Sequence, residues 1–168
     1  SWSTLNVKGV PVSKKDAIIW ANINYTNSKA SAESMISNEY VQTGLITGTA
    51  WDTTCHWIEG SLKSINELAS LKDSRYYGNY KNSLAPANDN SGTKREAGFS
   101  ENWKTKNIYD LAGNVWEWTS EVHSSDFIIR GGCFGNVGSD DCPVSYRGSN
   151  DASCANDWMG FRLRLYIK

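Results

Sequence analysis

The sequence predicts an α+β fold with two helices, small antiparallel sheets and long loops. Apolar residues recur at helical spacing in two segments of the N-terminal third, and short alternating segments typical of strands occur in the C-terminal third. Between them the chain is polar and rich in Gly, Asn and Ser. A chain of 168 residues buries enough surface to need no disulfide framework, and its eight Trp and eight Tyr indicate aromatic clusters in the core.

The first helix is predicted from residue 28 to residue 36. Asn24 or Thr26 precedes it, and side chains of both types accept hydrogen bonds from the free amides at a helix start. Three apolar residues fall on its inward stripe: Ala32, Met35 and Ile36. We expect this helix to pack against the core.

The second helix is predicted from Ala50 to about Ser61. Thr49 and Asp52 resemble a capping box in which Asp replaces Glu. Four residues then share one face at helical spacing: Trp51, Thr54, Cys55 and Ile58. This face is expected to be buried.

Three segments are predicted to be strands. In residues 115–118 the two Trp share one face, while Val115 and Glu117 share the other. Residues 127–130 form a second short strand. In residues 161–165 apolar residues alternate with two Arg, which predicts one half-buried strand that closes the sheet.

Charge and composition argue against several classes of function. The net charge of −1 and a pI near 6.1 do not fit the basic surface of a nucleic-acid-binding protein. No apolar run approaches the roughly 20 residues that cross a membrane. Two His and four unevenly spaced Cys leave little material for a His-based catalytic site, a zinc site or a disulfide scaffold.

A turn flanked by carboxylates occurs in residues 107–118. Gly113 is followed by Asn114, a dipeptide that tolerates positive φ, and Asp110 and Glu117 lie on either side. Calcium takes several oxygen ligands from flexible loops. The carboxylates of Asp110 and Glu117, with main-chain carbonyls at Gly113 and Val115, therefore form a candidate site for a structural calcium ion. The alternative is that both carboxylates accept hydrogen bonds from turn amides.

The same residues, Asn-Ile-Tyr-Asp-Leu-Ala-Gly-Asn-Val-Trp-Glu-Trp, resemble a signature of the formylglycine-generating-enzyme (sulfatase-modifying factor) family. Other landmarks of that family follow in the expected order at residues 130–132, 146–147 and 160–162. The resemblance extends from about Ile19 to the C-terminus. It implies a C-type lectin fold of the formylglycine-generating-enzyme-like subtype, as a single domain over residues 1–168.

The resemblance does not extend to the catalytic cysteines of the family. Its enzymes oxidise a substrate cysteine with copper held by two cysteines, five residues apart, shortly after the Arg-Gly-Gly element. Here Asn136 stands where the first would lie, Cys142 is offset by one from the second, and Cys133 replaces a usual Ser. We therefore expect no catalytic cofactor and no enzymatic activity. A copper-dependent oxidase of the formylglycine-generating type remains the alternative.

The segment from Cys133 to Asp157 has an unusual composition. It lacks Lys, Glu, Gln, Met and Trp, although these types total 30 of the 168 residues and 25 positions would be expected to hold four or five. These are types that no codon ending in a pyrimidine encodes. Randomisation of Asn codons at their adenines produces this pattern in the variable proteins of diversity-generating retroelements. Many of those proteins resemble this family in fold and carry the variable region at the C-terminus.

These observations predict a non-catalytic binding domain with variable ligand-binding loops at residues 133–157. Tyr and small polar residues suit such a surface because they give contact area at low entropic cost. The candidate contact residues are Phe134, Val137, Asp140, Asp141, Tyr146, Ser149, Asn150, Asp151, Asn156 and Asp157. Arg130 and Arg162 are expected to brace the loops through carbonyls. The expected partner is a protein or glycan receptor, and the expected location is a virion or bacterial cell surface. A structural decoration module of a fibre is a further alternative.

Overall fold

A computed structural model describes residues 4–5, 11–12, 17–62, 71–84, 92–139 and 141–168. It confirms the α+β class: helix α1 spans Tyr25–Ser34, helix α2 spans Gly48–Leu62, and the strands are short. In chain order the described strands are β1 Thr4–Leu5, β2 Pro11–Val12, β3 Val41–Leu45, β4 Lys104–Thr105, β5 Ile108–Tyr109, β6 Trp116–His123, β7 Asp126–Arg130, β8 Arg147–Asn150, β9 Met159–Phe161 and β10 Leu163–Ile167.

The largest described sheet has four strands in the order β8-β7-β6-β9. Strand β9 runs parallel to β6, with Trp116 opposite Met159, and the other neighbours are antiparallel. Strands β3 and β10 form a separate antiparallel pair, with Leu45 opposite Leu163. Strands β1 and β2, and β4 and β5, form further antiparallel pairs.

The prediction of one continuous strand at residues 161–165 was wrong. Arg162 separates β9 from β10, and the two strands belong to different sheets. Arg162 is only 6% exposed and its side chain points inward to Glu117, whereas Leu165 is 56% exposed. A buried ion pair thus overrides the alternating pattern at this position.

Helix α1 begins earlier than predicted and ends before its last two predicted residues. Asn24 caps it, since its side-chain oxygen accepts a hydrogen bond from the Asn27 amide at 2.9 Å. Ala32 is buried as expected, but Met35 is half-buried and Ile36 is 44% exposed. The inward prediction for Ile36 was wrong because the helix ends at Ser34, so the helical period no longer applies there.

Helix α2 has the predicted buried face and a different start. Trp51, Cys55 and Ile58 are each at most 2% exposed. The cap is Thr47, whose hydroxyl accepts from the Ala50 amide at 3.1 Å, so Thr49 lies inside the helix and no capping box forms there.

Two hydrophobic clusters form most of the core. One surrounds α2 and contains Trp51, Ile58, Tyr80 and Val144. The other lies between α1 and the four-stranded sheet and contains Ala32, Trp116, Trp118, Cys133, Met159 and Phe161. Residues 133–157 contribute to both clusters, which fixes that segment against the rest of the fold.

Candidate functional site

Residues 133–157, hereafter the C-terminal segment, lie between β7 and β9. The prediction that this segment consists of loops was wrong in part, because residues 147–150 form strand β8 at the edge of the sheet. Its sequence, Arg-Gly-Ser-Asn, contains no large apolar side chain that would mark a buried face. Its residues alternate only between exposed and half-buried. Gly148 lies opposite Ile129 in β7, and a Cβ at Gly148 would approach the Ile129 side chain to 3.2 Å.

The first half of the C-terminal segment is held through its main chain. The Gly138 amide donates to the Asn82 side-chain oxygen at 2.9 Å, and the Gly138 carbonyl accepts from the Ser74 amide at 2.8 Å. The Val144 amide donates to the Ser74 hydroxyl at 2.9 Å, and the Val144 carbonyl accepts from the Trp51 indole at 2.9 Å. Buried groups outside the segment therefore set its backbone path.

The second half is held in the same manner by the residues that lead into α1. The Ala152 carbonyl accepts from the Tyr25 amide at 3.2 Å, and the Asn156 carbonyl accepts from the Asn22 amide at 2.8 Å. Main-chain pairing of β8 with β7 holds the residues before them. These bonds do not depend on which side chains the segment carries.

A few side chains of the segment are buried. Val144 is fully buried in the cluster around α2, and Pro143 and Cys133 are buried as well. Gly138 is buried against the Tyr80 ring, which a Cβ at that position would overlap. These positions belong to the packing of the fold and not to an outer surface.

Most of the candidate contact residues keep accessible side chains. Asp141, Tyr146, Ser149, Asp151 and Asp157 are exposed, and four others are half-buried: Phe134, Val137, Asn150 and Asn156. Asp140 lies outside the described residues.

Some of these candidates already have polar partners within the chain. Asp151 accepts from the amide and the hydroxyl of Ser153, at 2.8 and 2.6 Å, and these bonds lower the pKa of its carboxyl. The Ser149 hydroxyl lies 3.4 Å from the Asp126 carboxylate. The side chain of Asp151 is therefore less available to a partner than its exposure suggests.

A pocket of about 270 Å³ opens beside the two ends of the segment. Its lining residues are Trp116, Cys133, Gly135, Asn136 and Trp158. Tyr146 packs edge to face against Trp116, with ring centroids 5.9 Å apart. Neither Trp was predicted as a site residue, because Trp116 was considered only as part of a strand and the compositional window ends just before Trp158.

Two of the four candidate calcium residues, Glu117 and Asp110, contact an arginine. Arg162 donates to both carboxylate oxygens of Glu117, at 2.8 and 2.9 Å, and to the main-chain carbonyls of Tyr109 and Asp110, each at 3.1 Å. Arg162 thus bonds main-chain carbonyls, but those of residues 109 and 110 and not those of the loops at residues 133–157 that it was expected to brace.

The remaining candidate calcium ligands are the Asp110 carboxylate and the residues Gly113 and Val115. The Asp110 carboxylate accepts from the Gly98 amide at 2.7 Å, Gly113 has positive φ, and Val115 is buried. Among the described residues no three His, Cys, Asp or Glu side chains gather in a metal-binding group. Calcium held partly by main-chain carbonyls stays a prediction, and it would place a second cation beside Arg162.

The cysteines are buried or half-buried thiols. Burial raises the pKa of Cys133 and of Cys142, and nearby Asp157 and Asp141, respectively, raise them further. Asn136, at the position of the family's first cysteine, accepts from the Cys133 amide through its side-chain oxygen at 3.0 Å. The side chain of Arg130 pairs with the carboxylate of Asp52 in α2. The expectation that it bonds a loop carbonyl was therefore wrong.

The comparison with one solved structure, CarF, agrees with this architecture. CarF shares 18% sequence identity, with a TM-score of 0.52 over 76% of this chain and 48% of that chain. Treponema denticola variable protein 1 shares 20% identity, with a TM-score of 0.49 over 96% of this chain and 60% of that chain. The likeness to CarF, at this identity, concerns the fold alone.

Two curated sequences also match part of the chain. The serine/threonine-protein kinase Pkn1 of Chlamydia trachomatis serovar L2 is 30% identical over 81 residues, and that of Chlamydia caviae is 28% identical over 81 residues. Each match covers 36% of this chain and 13% of the kinase. The chain thus corresponds to a small part of these longer relatives. None of its described helices is long and apolar enough to cross a membrane.

The family comparison spans almost the whole chain. Residues 12–166 match the sulfatase-modifying factor enzyme 1-like domain. The predicted fold class, the formylglycine-generating-enzyme-like subtype of the C-type lectin fold, is confirmed by this match and by the arrangement of helices, sheets and long loops. The chain belongs to the sulfatase-modifying factor enzyme 1-like family.

Proposed function

We propose that this protein is a non-catalytic binding domain whose C-terminal segment is a diversified contact surface. In this proposal a diversity-generating retroelement varies residues 133–157. The domain is displayed on a virion or a bacterial cell surface and binds a protein or glycan receptor. The whole of residues 1–168 acts as one binding domain.

The observation that carries the proposal is the separation of backbone from side chain in the segment. Its main chain bonds to Ser74, Asn82 and Trp51 on one side and to Asn22 and Tyr25 on the other. Most candidate side chains, in contrast, are exposed or half-buried. Surface substitutions away from packing and hydrogen bonds usually change stability by no more than about 0.5 kcal/mol. Such a segment tolerates replacement of its outer side chains while its path stays the same.

The genomic DNA around the gene provides the test. We expect a reverse transcriptase and a near-copy of the codons for residues 133–157 that differs from the gene only at adenines. The structure sharpens this expectation: the template codons for Gly138, Pro143 and Val144 should carry no adenine at the first or second base, because change of these buried residues would disrupt packing. A locus without a template, or with adenines concentrated in the buried codons, would contradict the proposal.

The thiol geometry supports the non-catalytic part of the proposal. Copper(I) favours thiolates, and here an amide side chain stands at one of the two ligand positions while burial raises the pKa of both nearby thiols. These residues do not fit the family's copper site. The oxidase alternative would be restored by stoichiometric Cu(I) binding that Cys142→Ala abolishes.

A fibre decoration module is the second alternative, in which the same surface packs against a fixed subunit. Sequence variation between sister genes separates the two functions. A packing surface requires shape complementarity at its centre, so exposed positions such as Asp141 and Tyr146 would then be constant. Wide variation at these positions, with Val144 constant, favours the diversified binder.

A further inference from the structure

The pocket at the ends of the C-terminal segment is lined by two indoles, those of Trp116 and Trp158, that lie outside that segment. Trp116 lies in β6 and is 6% exposed, and its amide donates to the Trp158 carbonyl at 2.8 Å. Trp158 is half-buried and precedes β9, the parallel neighbour of β6. The two indoles are therefore held by the central sheet, and neither belongs to the segment that we propose to be diversified.

The size of the pocket suits one side chain. At about 270 Å³ it lies below the range of roughly 300–1,000 Å³ that is typical of sites for small-molecule ligands. Gly135 leaves one side of the pocket open, because it has no side chain and even an added Cβ would contact only the Cys133 sulfur, at 3.9 Å. A long unbranched side chain from a partner can enter such an opening.

One carboxylate lies beside the pocket. Asp157 adjoins Trp158 and acts electrostatically on Cys133, which lines the pocket. The Lys94 ammonium donates to the Asp157 main-chain carbonyl at 3.2 Å, so one cation lies near the same residue.

We propose that this pocket receives a lysine or arginine side chain of a partner protein, between two indole rings and beside the carboxylate of Asp157. A cation over an indole face is attracted by the ring quadrupole, and the Asp157 carboxylate attracts the same cation. The inference rests on the proposed binding function and assigns the chemistry of one contact within it. The indoles lie outside the diversified residues, whereas Cys133, Gly135, Asn136 and Asp157 lie within them. The indole part of the contact is therefore common to all variants of the surface, and its acidic part varies.

Two short peptides test the pocket directly on the intact protein. Acetyl-Gly-Lys-Gly-amide carries the cation, and acetyl-Gly-norleucine-Gly-amide is its neutral counterpart. We expect the lysine peptide to shift the indole N–H signals of Trp116 and Trp158 in NMR titrations, with the signals assigned by Trp→Phe variants. The norleucine peptide should bind about 3- to 30-fold more weakly, the factor expected for loss of a cation–π contact. Equal binding of both peptides, or no shift with either, overturns the proposal.

Variants with matched charge changes locate the effect. Asp157→Asn should weaken binding of the lysine peptide about 2- to 5-fold, as expected for an exposed charge pair. Lys94→Met should strengthen it, because this change removes a cation that is bonded to the Asp157 carbonyl and repels the ammonium of the peptide. The control Asp151→Asn removes the same charge from a carboxylate held by Ser153 and should leave the Kd within about twofold. An effect of Asp151→Asn equal to that of Asp157→Asn overturns the assigned position.

The two proposals fail separately. If no peptide binds, the proposal of a cation-binding pocket is refuted, and the genomic test of a diversified surface is unaffected. If the locus lacks a template but the lysine peptide binds selectively, the proposal of a diversified surface is refuted. The domain then has a pocket for a basic side chain and one fixed partner.

Discussion

The C-terminal segment and the rest of the described fold, here called the frame, hold their polar groups in opposite ways. In the frame, side chains are paired with one another inside the protein: the side chains of Arg162 and Glu117 are 8% and 1% exposed and share two hydrogen bonds. In the segment, the main chain is bonded to the frame and many polar side chains face outward. The comparison shows that residues outside the segment help to fix its backbone path while many of its own side chains remain on the surface.

The largest difference between the two regions is expected from their ion pairs. Arg162→Met leaves the buried Glu117 carboxylate without its cation and should lower the free energy of unfolding by about 3–5 kcal/mol. Arg147→Met breaks the exposed pair with Glu121 and should cost at most about 1 kcal/mol. Denaturant unfolding measures both values.

A rescue variant keeps this test informative if Arg162→Met does not fold. Adding Glu117→Leu removes the uncompensated charge, so the double variant should be more stable than the single one. Equal costs for Arg162→Met and Arg147→Met would contradict the distinction between frame and surface.

Two Ser→Ala substitutions test the anchoring of the segment. Ser74→Ala leaves the buried Val144 amide without its acceptor and should destabilise the protein by about 1–3 kcal/mol. Ser149→Ala removes an exposed hydroxyl and should change stability by no more than about 0.5 kcal/mol. Faster hydrogen exchange at Val144 in the first variant alone would identify the anchor, and similar behaviour of both variants would argue against it.

Calcium removal tests the predicted metal site within the frame. A calcium ion held by Asp110, Gly113, Val115 and Glu117 stabilises the folded state by mass action, so chelation lowers the melting temperature. Because Arg162 already neutralises Glu117, we expect no more than about 1 kcal/mol, or about 2–4 °C. Equal melting temperatures in excess calcium and in chelator would contradict the prediction that calcium binds at these residues.

The smallest effect is expected from combined changes on the outer surface. The triple variant Asp141→Ser, Ser149→Asn, Asp157→Ser should keep the free energy of unfolding within about 0.5 kcal/mol of that of the parent protein, since these side chains are exposed. Calorimetry and the near-UV circular dichroism spectrum provide the measurement. A loss of several kcal/mol would mean that outer side chains help to fold the segment.

The parts of the fold that follow a local period were predictable from sequence. The buried face of α2 follows from the spacing of Trp51, Cys55 and Ile58. The pairing of Arg162 with Glu117 was not, because it joins residues 45 positions apart that only the sheet brings together. Strand β8 gave no signal, since an edge strand with small polar residues has no apolar alternation.

The same distinction holds for the candidate site. Composition located the C-terminal segment and most of its exposed residues. The pocket at its ends was missed because it depends on the parallel pairing of β6 and β9, which places Trp116 beside Trp158.

The main-chain bonds at Gly138, Val144, Ala152 and Asn156 also limit how the segment can change in length. Each bond fixes one residue at one point in space, so the number of residues between two such points is matched to the distance that they must cross. An inserted or deleted residue would move every later position out of step with its partner. Relatives that share this frame should therefore differ here by exchange of residues at constant spacing, and added residues should collect between the fixed points that lie at the surface.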